Sequence, residues 1–209
     1  MKRADIRMLL AIALSIATCL ALAAPAAHAD SFSFVANLTG ALEVPPVPPS
    51  SSSGTGSASV VLDTVANTMH VNVTFSDLSS GTTASHIHCC LASAFLTGSN
   101  VGVATTTPTF TDFPLMVTSG TYDHVFDLSL ASSYNSTFDG ATVASQEAAL
   151  VNGIESGETY LNIHTTNFPG GEIRGFLVPT PEPSTFLLFG AGLMVLAGLA
   201  GRKLVQNLI

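Results

Sequence analysis

The 209-residue sequence has no tryptophan, three cysteines and six cations. From Asp30 to Val178 the shortage is sharper: Arg174 is the one cation against twelve acids, a formal charge of −11. Following the phosphates of a nucleic acid takes clustered Lys and Arg, so that partner class is excluded. An aromatic content of 7% without tryptophan argues against a stacking platform for sugars. Catalytic signatures are missing too: there is no nucleophile-elbow serine, no His-Glu-x-x-His and no phosphate loop. Glu155 and Glu158 read as solvated loop residues, and no catalytic residue is expected. An acidic, hydroxyl-rich, lysine-free surface suits an extracellular module, or one that collects cations.

The two ends carry addresses. Lys2, Arg3 and Arg7 precede an apolar stretch from Met8 to Ala24, and Ala27-His28-Ala29 is a small-residue cleavage site. Residues 1–29 therefore read as a secretory signal peptide, with Cys19 lost along with it. Residues 30–178 are then one domain of ordinary size. At the other end, residues 179–185 form a proline-rich linker with Pro181-Glu182-Pro183. Residues 186–201 are apolar, and 202–209 open with Arg202-Lys203. Such a helix reaches about 25 Å, enough to cross the inner membrane with its basic tail in the cytoplasm.

Between the ends the dominant pattern is period two. Phe32, Phe34 and Leu38 alternate with Ser33 and Asn37, and Met69, Val71, Val73 and Phe75 with His70, Asn72 and Thr74. Strands are expected at 31–38, 54–62, 69–75, 84–90, 122–130, 158–165 and 172–178. The proline and serine run at 44–53 is a loop, and 91–114 a longer one with one short strand near Val101–Val103. A single helix is expected at 141–152, stopped by Gly153. His70 and His124 read as ordinary sheet residues.

Chemistry concentrates at Ser85-His86-Ile87-His88-Cys89-Cys90. On a strand His86 and His88 share one face and Ile87 takes the other. Pairing Ile163 with Ile173, so that apolar residues share a face, sets Asn162 opposite Arg174 and His164 opposite Glu172. Two readings stay open. His86, His88 and His164 suit one zinc or copper ion, with Glu172 orienting a ligand histidine. Alternatively, Glu43, Asn162, Glu172 and Arg174 join the histidines in a hydrogen-bonded polar face, with Arg174 pairing Glu172 or Glu43. Cys89 and Cys90 are open to three fates: a vicinal disulfide, soft metal ligands or free thiols. The disulfide is expected, because the mature chain has no other cysteine.

Two resemblances add to this. Pro181-Glu182-Pro183, the apolar segment and Arg202-Lys203, in that order, resemble the PEP-CTERM sorting signal of Gram-negative bacteria. That resemblance implies recognition by an exosortase-type membrane peptidase. It also implies passage to the cell surface or extracellular matrix, often with extracellular polysaccharide or biofilm. Leu38-Thr39-Gly40-Ala41-Leu42-Glu43-Val44-Pro45-Pro46, Ala84-Ser85-His86-Ile87-His88, and Gly157–Thr165 running on to Pro169–Gly175 resemble the CHRD (chordin-type) domain. The resemblance implies a β domain with no established enzymatic activity. Many short alternating strands with little helix predict an antiparallel sandwich or barrel. The expected fold is an antiparallel β-sandwich, immunoglobulin-like or superoxide-dismutase-like, with one short helix. The leading functional expectation is a non-catalytic surface or matrix protein, and the alternative is an extracytoplasmic protein binding copper or zinc through His86, His88 and His164.

Overall fold

Alternating apolar and polar residues bury one face of each strand, and the chain folds accordingly as an all-β domain. The computed structural model describes residues 31–140, 142–181, 190–192 and 194. Among them are β1 (Ser31–Thr39), β2 (Thr55–Asp63), β3 (Thr68–Ser76), β4 (Thr82–His88) and β5 (Gly120–Asp127). The helix α1 (Val143–Glu155) follows, then β6 (Tyr160–Thr165), β7 (Ile173–Phe176) and the short β8 (Val178–Pro179). One antiparallel sheet runs in the order β4-β6-β7-β1-β2-β3-β5, with β8 on β1, and curls into a sandwich-like half-barrel.

The β2–β3 hairpin shows how local chemistry sets the register. Asp63 Oδ1 accepts from the amides of Val65 (3.0 Å) and Ala66 (2.7 Å), and Asn67 takes φ of 53°. An Asx turn with a left-handed Asn closes the hairpin, leaving Leu62 opposite Met69 and Val60 opposite Val71. These side chains meet Phe34, Ala36 and Leu38 of β1 in the core. At about 1.5–3 kcal/mol per buried large apolar side chain, this face supplies most of the drive to fold.

Several expected boundaries shift, and three of the ends have a clear local cause. The helix does not stop at Gly153 but runs to Glu155, with Leu150 and Ile154 buried, and Gly157 at φ 72° follows it. Gly153 has a packing role instead: a Cβ there would collide with the sulfurs of Cys89 and Cys90. β4 ends at His88 rather than Cys90, because Cys89 and Cys90 are joined in a vicinal disulfide. β5 ends at Asp127 rather than Leu130, where Asp127 Oδ1 accepts from the Ser129 amide at 2.9 Å.

β4 lies at one end of the sheet, and the loop after it folds back to cover that edge. Ala104 N donates to Ile87 O (2.9 Å), Phe110 N to Ser85 O (3.0 Å) and Cys89 N to Gly102 O (3.1 Å). The short strand expected near 101–103 is a single bridge, His88 to Val103. The signal peptide expected at 1–29, Glu182 and Pro183 of the sorting motif, and the tail expected at 202–209 lie outside the described residues. So does the apolar segment at 186–201, apart from 190–192 and 194, which are helical. Among the described residues no helix is long and apolar enough to cross a membrane.

Candidate metal centre

Three neighbouring strands supply the site. β4 pairs with β6 so that Ala84 faces His164, His86 faces Asn162 and His88 faces Tyr160. β6 pairs with β7 so that Asn162 faces Arg174 and Ile163 faces Ile173. Ile87, Leu161, Ile163 and Ile173 are fully buried on the core side. Period-two parity therefore sends His86, His88, Tyr160, Asn162, His164 and Arg174 to the opposite side.

Each histidine is held by a backbone carbonyl. His86 Nε2 donates to Pro108 O at 2.7 Å, His88 Nδ1 to Val101 O at 2.8 Å and His164 Nδ1 to Pro169 O at 2.9 Å. A carbonyl can only accept, so the ring nitrogen facing it carries the hydrogen. In the neutral rings this leaves lone pairs on His86 Nδ1, His88 Nε2 and His164 Nε2. His86 Nδ1 and His164 Nε2 are 3.4 Å apart, and His88 Nε2 is buried without a hydrogen-bond partner. The three histidines can present ligand nitrogens that all lie within 4.8 Å of one another.

Burial keeps these rings neutral. It pushes the pKa of His86 down to about 4, against the pull of the Pro108 carbonyl, with His164 and His88 adding to the depression. His88 is also pushed down to about 4, first by burial and then by the neighbouring His164 and Arg174, with the Val101 carbonyl opposing. Burial lowers His164 as well. At neutral pH the site is three neutral imidazoles whose lone pairs face inward. A hydrogen bond between His86 and His164 would need one of them protonated. A cation between them needs no proton, and two nitrogens on one metal at about 2.0–2.1 Å sit about 3.3–3.5 Å apart.

The other polar residues act elsewhere. Glu172 does not reach His164, contrary to the orienting role expected for it. Its Oε1 accepts from Ser52 Oγ (2.5 Å) and Ser79 N (2.6 Å), and its Oε2 from Ser79 Oγ (2.9 Å) and Thr165 Oγ1 (2.5 Å). The physical reason is that β7 begins only at Ile173: Glu172 sits in the bend before it, so strand parity does not reach back to its side chain. Arg174 forms no ion pair with Glu172 or Glu43 within 4 Å among the described residues. Its guanidinium lies 4.3 Å over the Tyr160 ring, and Nη1 donates to Ser99 O (3.2 Å) and Asn100 Oδ1 (2.9 Å). Tyr160 in turn stacks on His88, with centroids 4.8 Å apart and planes 8° apart. Burial lifts the Glu43 carboxyl to about 7, with Arg174 opposing. Cys89 and Cys90 pack on Gly153 of α1.

Sequence reasoning missed the carbonyls of Val101, Pro108 and Pro169, since no residue type marks a backbone acceptor. It also missed Ser52, Ser79 and Thr165 around Glu172, whose approach depends on loop paths. A cleft of about 210 Å³ between 44–48 and 167–171 opens beside Pro169.

Comparison with known proteins agrees with this architecture. A family model for the CHRD domain matches residues 34–177, and one for the PEP-CTERM protein-sorting motif matches residues 179–203. No curated protein and no solved structure matches the chain. The sorting motif implies export in a Gram-negative bacterium, transient association with the membrane and processing by exosortase, a membrane protease.

Proposed function

The chain belongs to the CHRD domain family, and from that premise we propose that it is a surface-held, non-catalytic protein whose domain keeps one copper or zinc ion at His86, His88 and His164. The observation that carries this reading is the approach of His86 Nδ1 to His164 Nε2 at 3.4 Å, with both outer nitrogens committed to carbonyls. Two inward lone pairs at that spacing repel each other unless a cation lies between them. The neutral state that burial enforces is also the metal-binding state, because a histidine must lose its proton to ligate. The domain's charge of −11 favours cation capture without choosing the metal. Residence at the cell surface or in extracellular polymer is part of the same proposal, supported by the sorting motif at 179–203.

The test is metal content. The full chain, purified in detergent, is soaked separately with zinc, with cupric copper and with cuprous copper in the absence of oxygen, washed and analysed for the ion it retains beside His86→Gln and His164→Gln. Wild type should keep about one ion per chain and the variants a small fraction of it. Far-UV circular dichroism confirms that the variants fold. Wild type without metal, or equal metal in all three proteins, would overturn the proposal.

A further inference from the structure

The donor set proposed above carries no negative charge. The ligands are three neutral imidazoles. Their outer nitrogens donate to Pro108, Val101 and Pro169 carbonyls. In many metal sites a carboxylate takes that place, and through the ring it raises the basicity of the ligand nitrogen. Here no carboxylate does so. Glu172 is filled by Ser52, Ser79 and Thr165, and Glu43 lies against Gly171, where an added Cβ would sit 2.5 Å from its Oε1. The sulfurs of Cys89 and Cys90 are joined to each other and packed on α1, away from the donor set.

Positive charge is close by. Arg174 is fully buried over Tyr160, the ring on which His88 stacks, so the fixed charge along that stack is positive. His86 is 6% exposed and His88 8%, while His164 is half-buried, so an ion held among them loses much of its water. The Born cost of burial grows with the square of the charge, making a dication about four times as costly as a monocation. Anionic ligands normally offset that cost, and this site has none. A structural zinc site also calls for a fourth protein ligand. Among the described residues the cluster contains three.

We infer that the ion this centre takes is copper in its cuprous state, held three-coordinate by His86, His88 and His164. The inference rests on the metal-holding reading and adds the charge of the ion to it. A monocation with a filled d shell is compatible with a neutral, three-nitrogen, largely dry cage beside an arginine. Cupric copper and zinc would each bring a second positive charge with no anion to meet it.

The experiment uses the full chain in detergent. Cuprous ion is supplied without oxygen, in competition with a chromophoric cuprous chelator. The loaded protein is then exposed to air and examined by electron paramagnetic resonance. A portion is challenged with a large excess of zinc. One copper per chain, silent in the resonance spectrum after air and not displaced by zinc, is the expected result. A cupric signal after air, or replacement of copper by zinc, would overturn the cuprous assignment and leave the metal-holding proposal intact. Failure to keep copper or zinc in any form would overturn both.

Discussion

Glu43 and Arg174 are buried in the same polar layer, 3% and 0% exposed, and they do not form an ion pair. The guanidinium turns to Tyr160, Ser99 and Asn100, and the carboxyl sits against Gly171. Arg174 still lowers the Glu43 pKa through space, but burial outweighs it and the carboxyl rises to about 7. The polar face is therefore built from stacking and hydrogen bonds to neutral partners more than from charge pairs. Removing water from two charges without direct contact is seldom favourable.

The first prediction concerns Glu43. Its pKa rises from 4.5 to about 7 on folding. The folded state then binds the extra proton more tightly, so this contribution is full below pH 4.5 and disappears as pH climbs through 7. Glu43→Gln mimics the protonated form. It should leave stability unchanged near pH 4.5 and raise it at pH 8, by roughly 1–3 kcal/mol. Thermal unfolding of both proteins at the two pH values measures this. A variant less stable than wild type at pH 8 would mean that the charged carboxyl supports Arg174 after all.

The histidines titrate with the opposite sign. Their folded pKa values lie below the ordinary 6.5, at about 4 for His86 and His88. The unfolded chain takes protons first as pH falls, so metal-free stability is intact above pH 6.5 and declines towards pH 4. Glu43 opposes the decline between about 6.5 and 4.5, but several rings outweigh one carboxyl. The metal-free protein should lose on the order of 2 kcal/mol or more between pH 7 and 4.5. His86→Gln/His88→Gln should show a clearly shallower fall. Identical pH profiles for the two proteins would contradict the buried, neutral assignment.

Much of this face is legible in the sequence. Requiring Ile163 to meet Ile173 sets Asn162 against Arg174, the observed pairing. Period two likewise puts His86 and His88 on one side of β4, and the structure brings His164 to them. Glu172 was illegible, because parity propagates only along regular backbone and Glu172 lies in the bend before β7 begins at Ile173. The carbonyls of Val101 and Pro108 belong to a long loop whose path follows from its bonds to β4, not from any local pattern. The end of α1 was misread because glycine signals two things, a stop or a close approach. At Gly153 it is the close approach, to the disulfide sulfurs.

Glu172 provides a third prediction, which separates folding from metal binding. Its two oxygens receive four donors in a fully buried setting. Glu172→Gln puts an NH₂ group where two donors point, which should cost about 2–4 kcal/mol of stability. Metal content of the folded fraction should stay at the wild-type level, because Glu172 does not touch His164. A drop of about tenfold or more in metal affinity, the usual effect of losing a partner that orients a ligand histidine, would restore the role first expected for it.

The sorting motif yields a fourth. Exosortase processing implied by the match at 179–203 requires the Pro181-Glu182-Pro183 segment to be read by the peptidase. Replacing all three residues by Ala should leave the protein in the membrane fraction at its unprocessed mass. Surface fractions and mass spectra of wild type and the triple variant decide it. Equal surface yield with equal mass would refute sorting through this segment.

Gly153→Ala is the last prediction, because helix propensity and packing give opposite signs. Position 153 lies inside α1, and in an exposed helix Ala for Gly would stabilise by about 1 kcal/mol. A Cβ at 153 would instead lie inside van der Waals contact of Cys89 Sγ and at 2.7 Å from Cys90 Sγ. The disulfide has little room to yield: Cys89 is 5% exposed and its amide is bonded to Gly102 O. Overpacking of this kind costs about 1–3 kcal/mol, so the net effect of Gly153→Ala should be destabilising. In a Cys89→Ala/Cys90→Ala background the sulfurs are gone and the propensity effect should emerge, making the same substitution neutral or stabilising. Chemical denaturation of the four proteins closes the cycle, and its coupling energy isolates the contact. If Gly153→Ala stabilised both backgrounds, the glycine would owe its place to something other than the two sulfurs.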